Sequence, residues 1–230
     1  MAGHKKSTSM EIAYEKILQK IISEQLTPGM PLREDHLAKE FNVSTTPIRE
    51  AFRRLEYEGW LQSIPFRGVF LRKFQLQEIE ELYRMREVLE GMTAAEAARN
   101  GTADELARIS AAIDAEQQYF DDVAQHYRHD DVPPAFRQDL DFHAVVAEAS
   151  HNQLLQQRLE MLKAQISFSL LFIKKQSSTL QKLEQICEEH RMIAIAIQRG
   201  WDDIAEMLMR RHISEARKKY AFFNSESIDD

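Results

Sequence analysis

Apolar residues along the first quarter of the chain recur at helical spacing and then change period. Ile12, Ile17, Leu18, Ile21, Ile22 and Leu26 predict a first helix from Met10 that ends before Pro28-Gly29. Leu37 and Ala38 mark the inward face of a short helix from about Glu34 to Phe41, and Asn42-Val43 predicts a tight turn. Ser44 is placed to cap a second short helix from Thr45 to about Glu58, which Gly59 closes in the left-handed conformation. Pro47 falls in its first turn, where the missing N–H does no harm. Residues 60–64 (WLQSI) and 69–72 (VFLR) then read as two short strands around Pro65-Phe66-Arg67-Gly68, the only β structure the pattern predicts. A helix, a helix–turn–helix and a small hairpin make a winged helix–turn–helix.

Beyond Phe74 every periodic segment is helical. Ile79, Leu82, Tyr83, Arg86, Leu89, Glu90 and Thr93 mark one side of a long helix that closes at Asn100-Gly101. Thr102 and Glu105 form a capping box for the next, which runs to about Tyr127. After a polar loop ending in Pro133-Pro134, two helices are predicted over about 135–149 and 152–174. A further helix follows Ser177-Ser178 and ends at Arg199-Gly200, and the last runs from Asp202 to Phe223. The expected fold class is mainly α. A disordered tail (1–9) leads into a winged helix–turn–helix (10–74), an all-helical bundle of six helices (75–223) and a polar tail (224–230).

Composition narrows the class. Seven glycines and six prolines in 230 residues leave too little turn chemistry for an all-β protein or for Gly-rich phosphate loops. At 43% hydrophobic the chain can bury a core, and its one cysteine excludes an intramolecular disulfide. The longest apolar run, Ile166 to Ile173, stops at Lys174-Lys175, short of the roughly 20 residues that span a membrane. The start carries no secretory signal, so the expectation is a cytoplasmic protein with no membrane partner. The net charge of −7 argues against nucleic acid only as an average. Residues 1–74 hold 12 Lys+Arg and 9 Asp+Glu, a net +3, and the remainder holds 18 and 28, a net −10. A mildly basic head on a strongly acidic body is the balance expected of a DNA reader on a sensor.

The second helix of a helix–turn–helix presents its N-terminal residues to base edges in the major groove. Here those residues are Ser44, Thr45, Thr46 and Arg49, with Arg53 and Arg54 further along. Arg67 at the hairpin tip can reach the adjoining groove or backbone, and Arg33 suits a phosphate contact. Phe52, Leu55 and Tyr57 are read as partly core. An arginine on an exposed helix is ordinarily only solvated, but these follow a Ser-capped turn and precede a wing. The stretch PGMPLREDHLAKEFNVSTTPIREAFRRLEYEGWLQSIPFRGVFL resembles the winged helix–turn–helix of the GntR family of bacterial transcription regulators, over about residues 10–72. The family commonly has Arg between the positions of Ser44 and Thr46, where this chain has Thr45. A bidentate arginine–guanine contact is worth roughly 1–3 kcal/mol of discrimination, so the resemblance implies a half-site that departs from the usual operator at that base.

In the body, His143, His190 and His212 fall on three different predicted helices, and Asp139 precedes His143 by one turn. Three imidazoles and a carboxylate suit a divalent transition ion such as Zn, Ni or Mn. The bland alternative for each histidine is a half-buried helix residue bonded to a neighbour. Residues 75–223 are similar to the FCD domain of the FadR subfamily, the all-helical effector-binding and dimerising domain. The similarity is carried by LYRMREVLEGMTAAEAA, DLDFHAVVAEASHNQLL and EEHRMIAIAIQRGWDDIAEMLMRRHI. It implies a metal at Asp139, His143, His190 and His212. Six helices point to the shorter, VanR-like form, and Gly200-Trp201-Asp202 departs from the usual Gly-Asp at a helix start. Arg86, in the pattern R-x-x-L-E that ends at Glu90, is then a candidate clamp for a small carboxylate effector; the alternative is an arginine solvated or paired with Glu90.

Three functions remain on these residues. One is a ligand-responsive regulator, by family habit a repressor, that binds a palindromic operator in double-stranded DNA as a homodimer. Another is a metal-centred enzyme, for which the chain offers no acid–base pair, nucleophile motif or cofactor loop. A structural DNA-binding protein with an inert bundle is the third. The expectation is the regulator, not an enzyme.

Overall fold

In the computed structural model, residues 8–23, 25–126, 136–171 and 179–225 are described, without the side chains of 136–140, 170–171 and 219–225. Along them run α1 (Ser9–Ile22), β1 (Pro31–Leu32), α2 (Glu34–Phe41), α3 (Thr45–Tyr57), β2 (Leu61–Ile64) and β3 (Gly68–Leu71). They are followed by α4 (Leu76–Asn100), α5 (Ala103–His126), α6 (Phe136–Ala149), α7 (Gln153–Leu171), α8 (Leu180–Gln198) and α9 (Asp202–Ser225). N-terminal helices with a small antiparallel wing precede an all-α bundle, as the periodicity predicts. Two compact units result: Met1–Gln75 with Lys163–Lys174, and Leu76–Leu162 with Lys175–Asp230.

In the first unit α1 opens on a Thr8–Glu11 capping box. It ends at Ile22, earlier than the apolar spacing through Leu26 predicts. There the Ser23 hydroxyl bonds the Lys20 carbonyl, and the amides of Gln25 and Leu26 turn back onto that same oxygen. Ile17, Ile21, Leu37, Ile48, Phe52, Leu55, Leu61 and Leu71 form the buried core. Phe168, from the C-terminal part of α7, completes it against Trp60 (ring centroids 4.8 Å apart) and Phe74 (5.8 Å). Gly59 stands at φ +82°, and a Cβ there would come within 2.5 Å of the Gln165 side chain, so conformation and space both demand glycine. Tyr57, expected to be partly core, is exposed.

The β structure exceeds the expected hairpin. Pro31–Leu32 pairs with β3 (Pro31↔Phe70, Leu32↔Val69), giving the antiparallel order β1-β3-β2. A two-residue strand has no alternation to detect, and Pro31 is tolerated because it sits at a sheet edge.

The second unit is a bundle in which α4 lies along α9 and also packs on α6 and α8, while α5 packs on α6 and α8. Gly91 marks a close approach of α4 to α9, since a Cβ there would meet the Arg210 side chain at 2.5 Å. The Thr102–Glu105 capping box forms as expected at the start of α5. Asn224 and Ser225, expected in the polar tail, are still helical. The expected N-terminal tail through Ser7, the loop at 127–134, Ser177-Ser178 and residues 226–230 lie outside the described residues. Among the described residues no helix is long and apolar enough to cross a membrane.

Candidate functional site

Each candidate histidine sits on the apolar stripe of its helix. On α8 that stripe is Leu183, Cys187, His190, Ile193, Ala194 and Ile197; on α9 it is Ala205, Met209, His212 and Ile213; on α6 it is Phe142, His143, Val146 and Ala149. The stripes bury all three imidazoles and bring their ligand-capable nitrogens within 4.8 Å of one another. Phe142 stacks on His190 at 4.2 Å and fixes its ring.

Every imidazole has a carboxylate on its Nδ1. Glu116 of α5 takes His190 Nδ1 at 2.9 Å, Glu189 of α8 takes His212 Nδ1 at 2.7 Å, and Glu90 of α4 faces His143 Nδ1. A carboxylate can only accept, so Nδ1 carries the proton and the lone pair of a neutral ring falls on Nε2. His190 and His212 then point two Nε2 lone pairs at each other across 3.1 Å. Between neutral rings that contact is repulsive, and either a proton on one ring or a metal ion between them relieves it. Two nitrogens bound at about 2.1 Å to one ion lie about 3.0–3.4 Å apart at octahedral or tetrahedral angles, so the observed spacing fits.

Arg86 is buried on α4, and its Nε donates to Glu90 Oε1 at 2.6 Å. One carboxylate therefore joins Arg86 to His143. Asp139 lies on α6 one turn before His143, and its side chain lies outside the described residues. Burial, aided by the nearby Glu116 charge, pushes the Cys187 thiol up to about 11, so it stays protonated. An open groove of about 1010 Å³, lined among others by Gln117, Gln185, Arg191 and Arg211, reaches Glu189 and His212 from outside.

In the first unit Ser44, Thr45, Thr46, Arg49 and Arg53 lie exposed along α3, with Arg33 exposed before α2 and Arg67 exposed beyond β2. Ser44 occupies the N-cap position, yet its hydroxyl makes no cap bond. Arg54 is spent within the fold: it bonds Glu58 and lies 3.9 Å over the Tyr14 ring. Burial and the Glu58 hydrogen bond push the Tyr14 hydroxyl up to about 12. Arg49 is bracketed by Glu34, and Arg33 by Asp35.

Sequence reasoning missed Glu116, Glu189 and Glu34. Glu116 had a signal: it falls on the buried line of α5 midway between Ile109 and Val123, seven residues from each. Glu189 and Glu34 had none, since helices carry exposed acids everywhere.

Comparisons with known proteins agree with this anatomy. Residues 10–71 match the model of bacterial regulatory proteins of the gntR family, and residues 81–215 match that of the FCD domain. The chain is 25% identical over 222 residues to the HTH-type transcriptional repressor RspR of Escherichia coli (strain K12), covering 94% of this chain and 90% of that protein. It is 25% identical over 201 residues to the HTH-type transcriptional regulator YdhC of Bacillus subtilis (strain 168), covering 87% and 86%. Its fold is similar to the solved structure of E. coli McbR/YncC, with a TM-score of 0.67 at 18% identity over 96% of this chain and 99% of that one. With both models matched over the reading head and the helical body, the chain belongs to the GntR family of bacterial regulators, DNA-binding proteins rather than enzymes, and carries an FCD-type effector domain.

Proposed function

We propose that this chain is a repressor that binds a two-fold operator as a homodimer and senses a small organic acid through a divalent transition-metal site. The observation that carries the sensing part is the buried pair of Nε2 atoms on His190 and His212, 3.1 Å apart with both Nδ1 positions committed to carboxylates. His143, His190 and His212 would hold the ion, joined by Asp139; zinc, nickel and manganese all accept such a set. When bound, the ion supplies open positions for a carboxylate. Glu90, Glu116 and Glu189 keep the proton on each Nδ1 and each Nε2 turned inward. Arg86 is the cation suited to grip the acid in a fork, and an acid that engages it competes with Glu90. The groove beside His212 supports access from solvent.

Residues 10–74 are the reader in this scheme and 75–223 the sensor. Arg33, Ser44, Thr45, Thr46, Arg49, Arg53 and Arg67 form the DNA face. One reading helix covers too few base pairs for a specific operator, so two heads are needed. Met85, Val88 and Met92 on α4 and Ile204 and Met207 on α9 are exposed on helices that pack together, which supports that surface as the dimer face. Six helices in the body support the VanR-like form of the FadR subfamily, and the printed name of RspR supports repression. A regulator of this kind works in the cytoplasm, where its operator is.

Metal analysis of protein prepared without chelators tests the sensing part: one divalent ion per chain is expected, lost in His190→Ala. Absence of metal in both would leave a purely structural cluster. A mobility-shift assay titrated with small carboxylic acids tests the response. One acid is expected to change operator affinity, and no response from a metal-loaded protein would favour a structural DNA binder. Since the coupling is a free energy, operator DNA must change the affinity for that acid by the same factor.

A further inference from the structure

The reading helix holds one arginine whose orientation is fixed from a neighbouring helix. Arg49 donates Nε to both oxygens of Glu34, at 3.2 and 3.1 Å, and Nη2 to one of them at 2.7 Å. Glu34 is the first residue of α2, where the positive end of the helix dipole favours a carboxylate. The Glu34 carboxylate in turn raises the Arg49 pKa, chiefly through these hydrogen bonds. A guanidinium has two hydrogen-bonding edges. The carboxylate occupies the side-on edge, Nε with Nη2, and leaves the end-on edge, Nη1 with Nη2, directed away from it. That remaining edge offers two parallel N–H bonds that match O6 and N7 of guanine.

We infer that Glu34 is a positioning residue that makes Arg49 a guanine reader instead of a mobile phosphate clamp. An unbuttressed arginine on an exposed helix end can swing to any phosphate within reach, which strengthens binding to every sequence alike. Held on its side-on edge, Arg49 presents one geometry and one donor pair to the groove. The need for it is greater here because Thr45 stands where the related heads commonly place an arginine. This inference rests on α3 being the DNA-reading helix.

The test uses the full-length protein and an operator obtained by in vitro selection with the wild type, each guanine replaced in turn by 7-deazaguanine, which lacks N7. In the wild type one position should lose about tenfold or more in affinity. Arg49→Ala should lose that penalty. Glu34→Gln should cut it to about threefold or less, tighten binding to unrelated DNA, and steepen the salt dependence by about one counterion as Arg49 moves to phosphate. Glu34→Asp, which keeps the charge and shortens the reach, should fall between. If Glu34→Gln keeps the full penalty and the wild-type affinity for unrelated DNA, the inference is overturned, even where its melting temperature drops. If Arg49→Ala also keeps the penalty, the assignment of Arg49 to the DNA face fails with it; if only Glu34→Gln does, the buttress alone fails.

Discussion

Glu116 shows how much of a site can depend on a side chain that touches no ligand. It is buried, and it accepts from His190 Nδ1, the nitrogen that settles which end of the ring faces inward. Glu116→Gln keeps the shape but replaces an acceptor-only, charged group with a neutral amide that can also donate, so metal affinity should fall by about 10–100-fold in a competition titration, with the fold intact. A second residue-scale outcome concerns pH. Glu105, held by the His151 ring and then by the Thr102 backbone and hydroxyl, has its pKa lowered from the ordinary 4.5 to about 2. A carboxylate depressed in the native state contributes stability that is complete above about pH 4.5 and is lost as the pH falls towards 2. Glu105→Gln should therefore flatten the acid limb of the denaturation free energy over that window, with stability lowered at neutral pH and little changed near pH 2. The three histidines were legible because one rare residue type recurred on three apolar stripes. Their carboxylate partners were not, because acids are common on helices and only burial separates Glu116 from the rest.

Among the elements, boundaries were legible where local chemistry sets them. Pro47 in the first turn and Gly59 just past the end mark α3, and Thr102 with Glu105 starts α5, each by a rule that acts within four residues. What escaped was non-local. β1 exists only because β3 has a free edge, and the head's core is finished by Phe168, 94 positions after Phe74. Phe168 is 1% exposed, so Phe168→Ala should cost about 3–5 kcal/mol in stability. In a Trp201→Phe background, Trp60 emission should report that loss, because Trp60 lies against the removed ring. An unchanged Trp60 transition would deny Phe168 its place in that core.

For the whole molecule, the division of charge is the property that sequence arithmetic reached first, and it bears on binding. A head of net +3 and a remainder of net −10 confine favourable DNA contact to the reading surface. Log affinity should fall linearly with log salt, with a slope of about 0.9 per phosphate neutralised. Assembly is testable at the same scale. Met207→Asp places a charge on the exposed apolar stripe of α9 and should yield monomers in sedimentation equilibrium. Operator affinity should drop by at least about tenfold through loss of the second head, with metal content unchanged. A variant that stays dimeric would move the interface elsewhere.

The facing Nε2 atoms of His190 and His212 have one more consequence, for the lifetime of the protein. With both rings neutral the two opposed lone pairs repel, and an ion bound between them would stabilise the native bundle by mass action, about 2.7 kcal/mol at a hundredfold excess over Kd. Chelation should lower the melting temperature and speed proteolysis, and restored metal should reverse both. Abundance of the regulator would then follow the metal supply of the cell, so that metal starvation alone would thin the protein available to bind DNA.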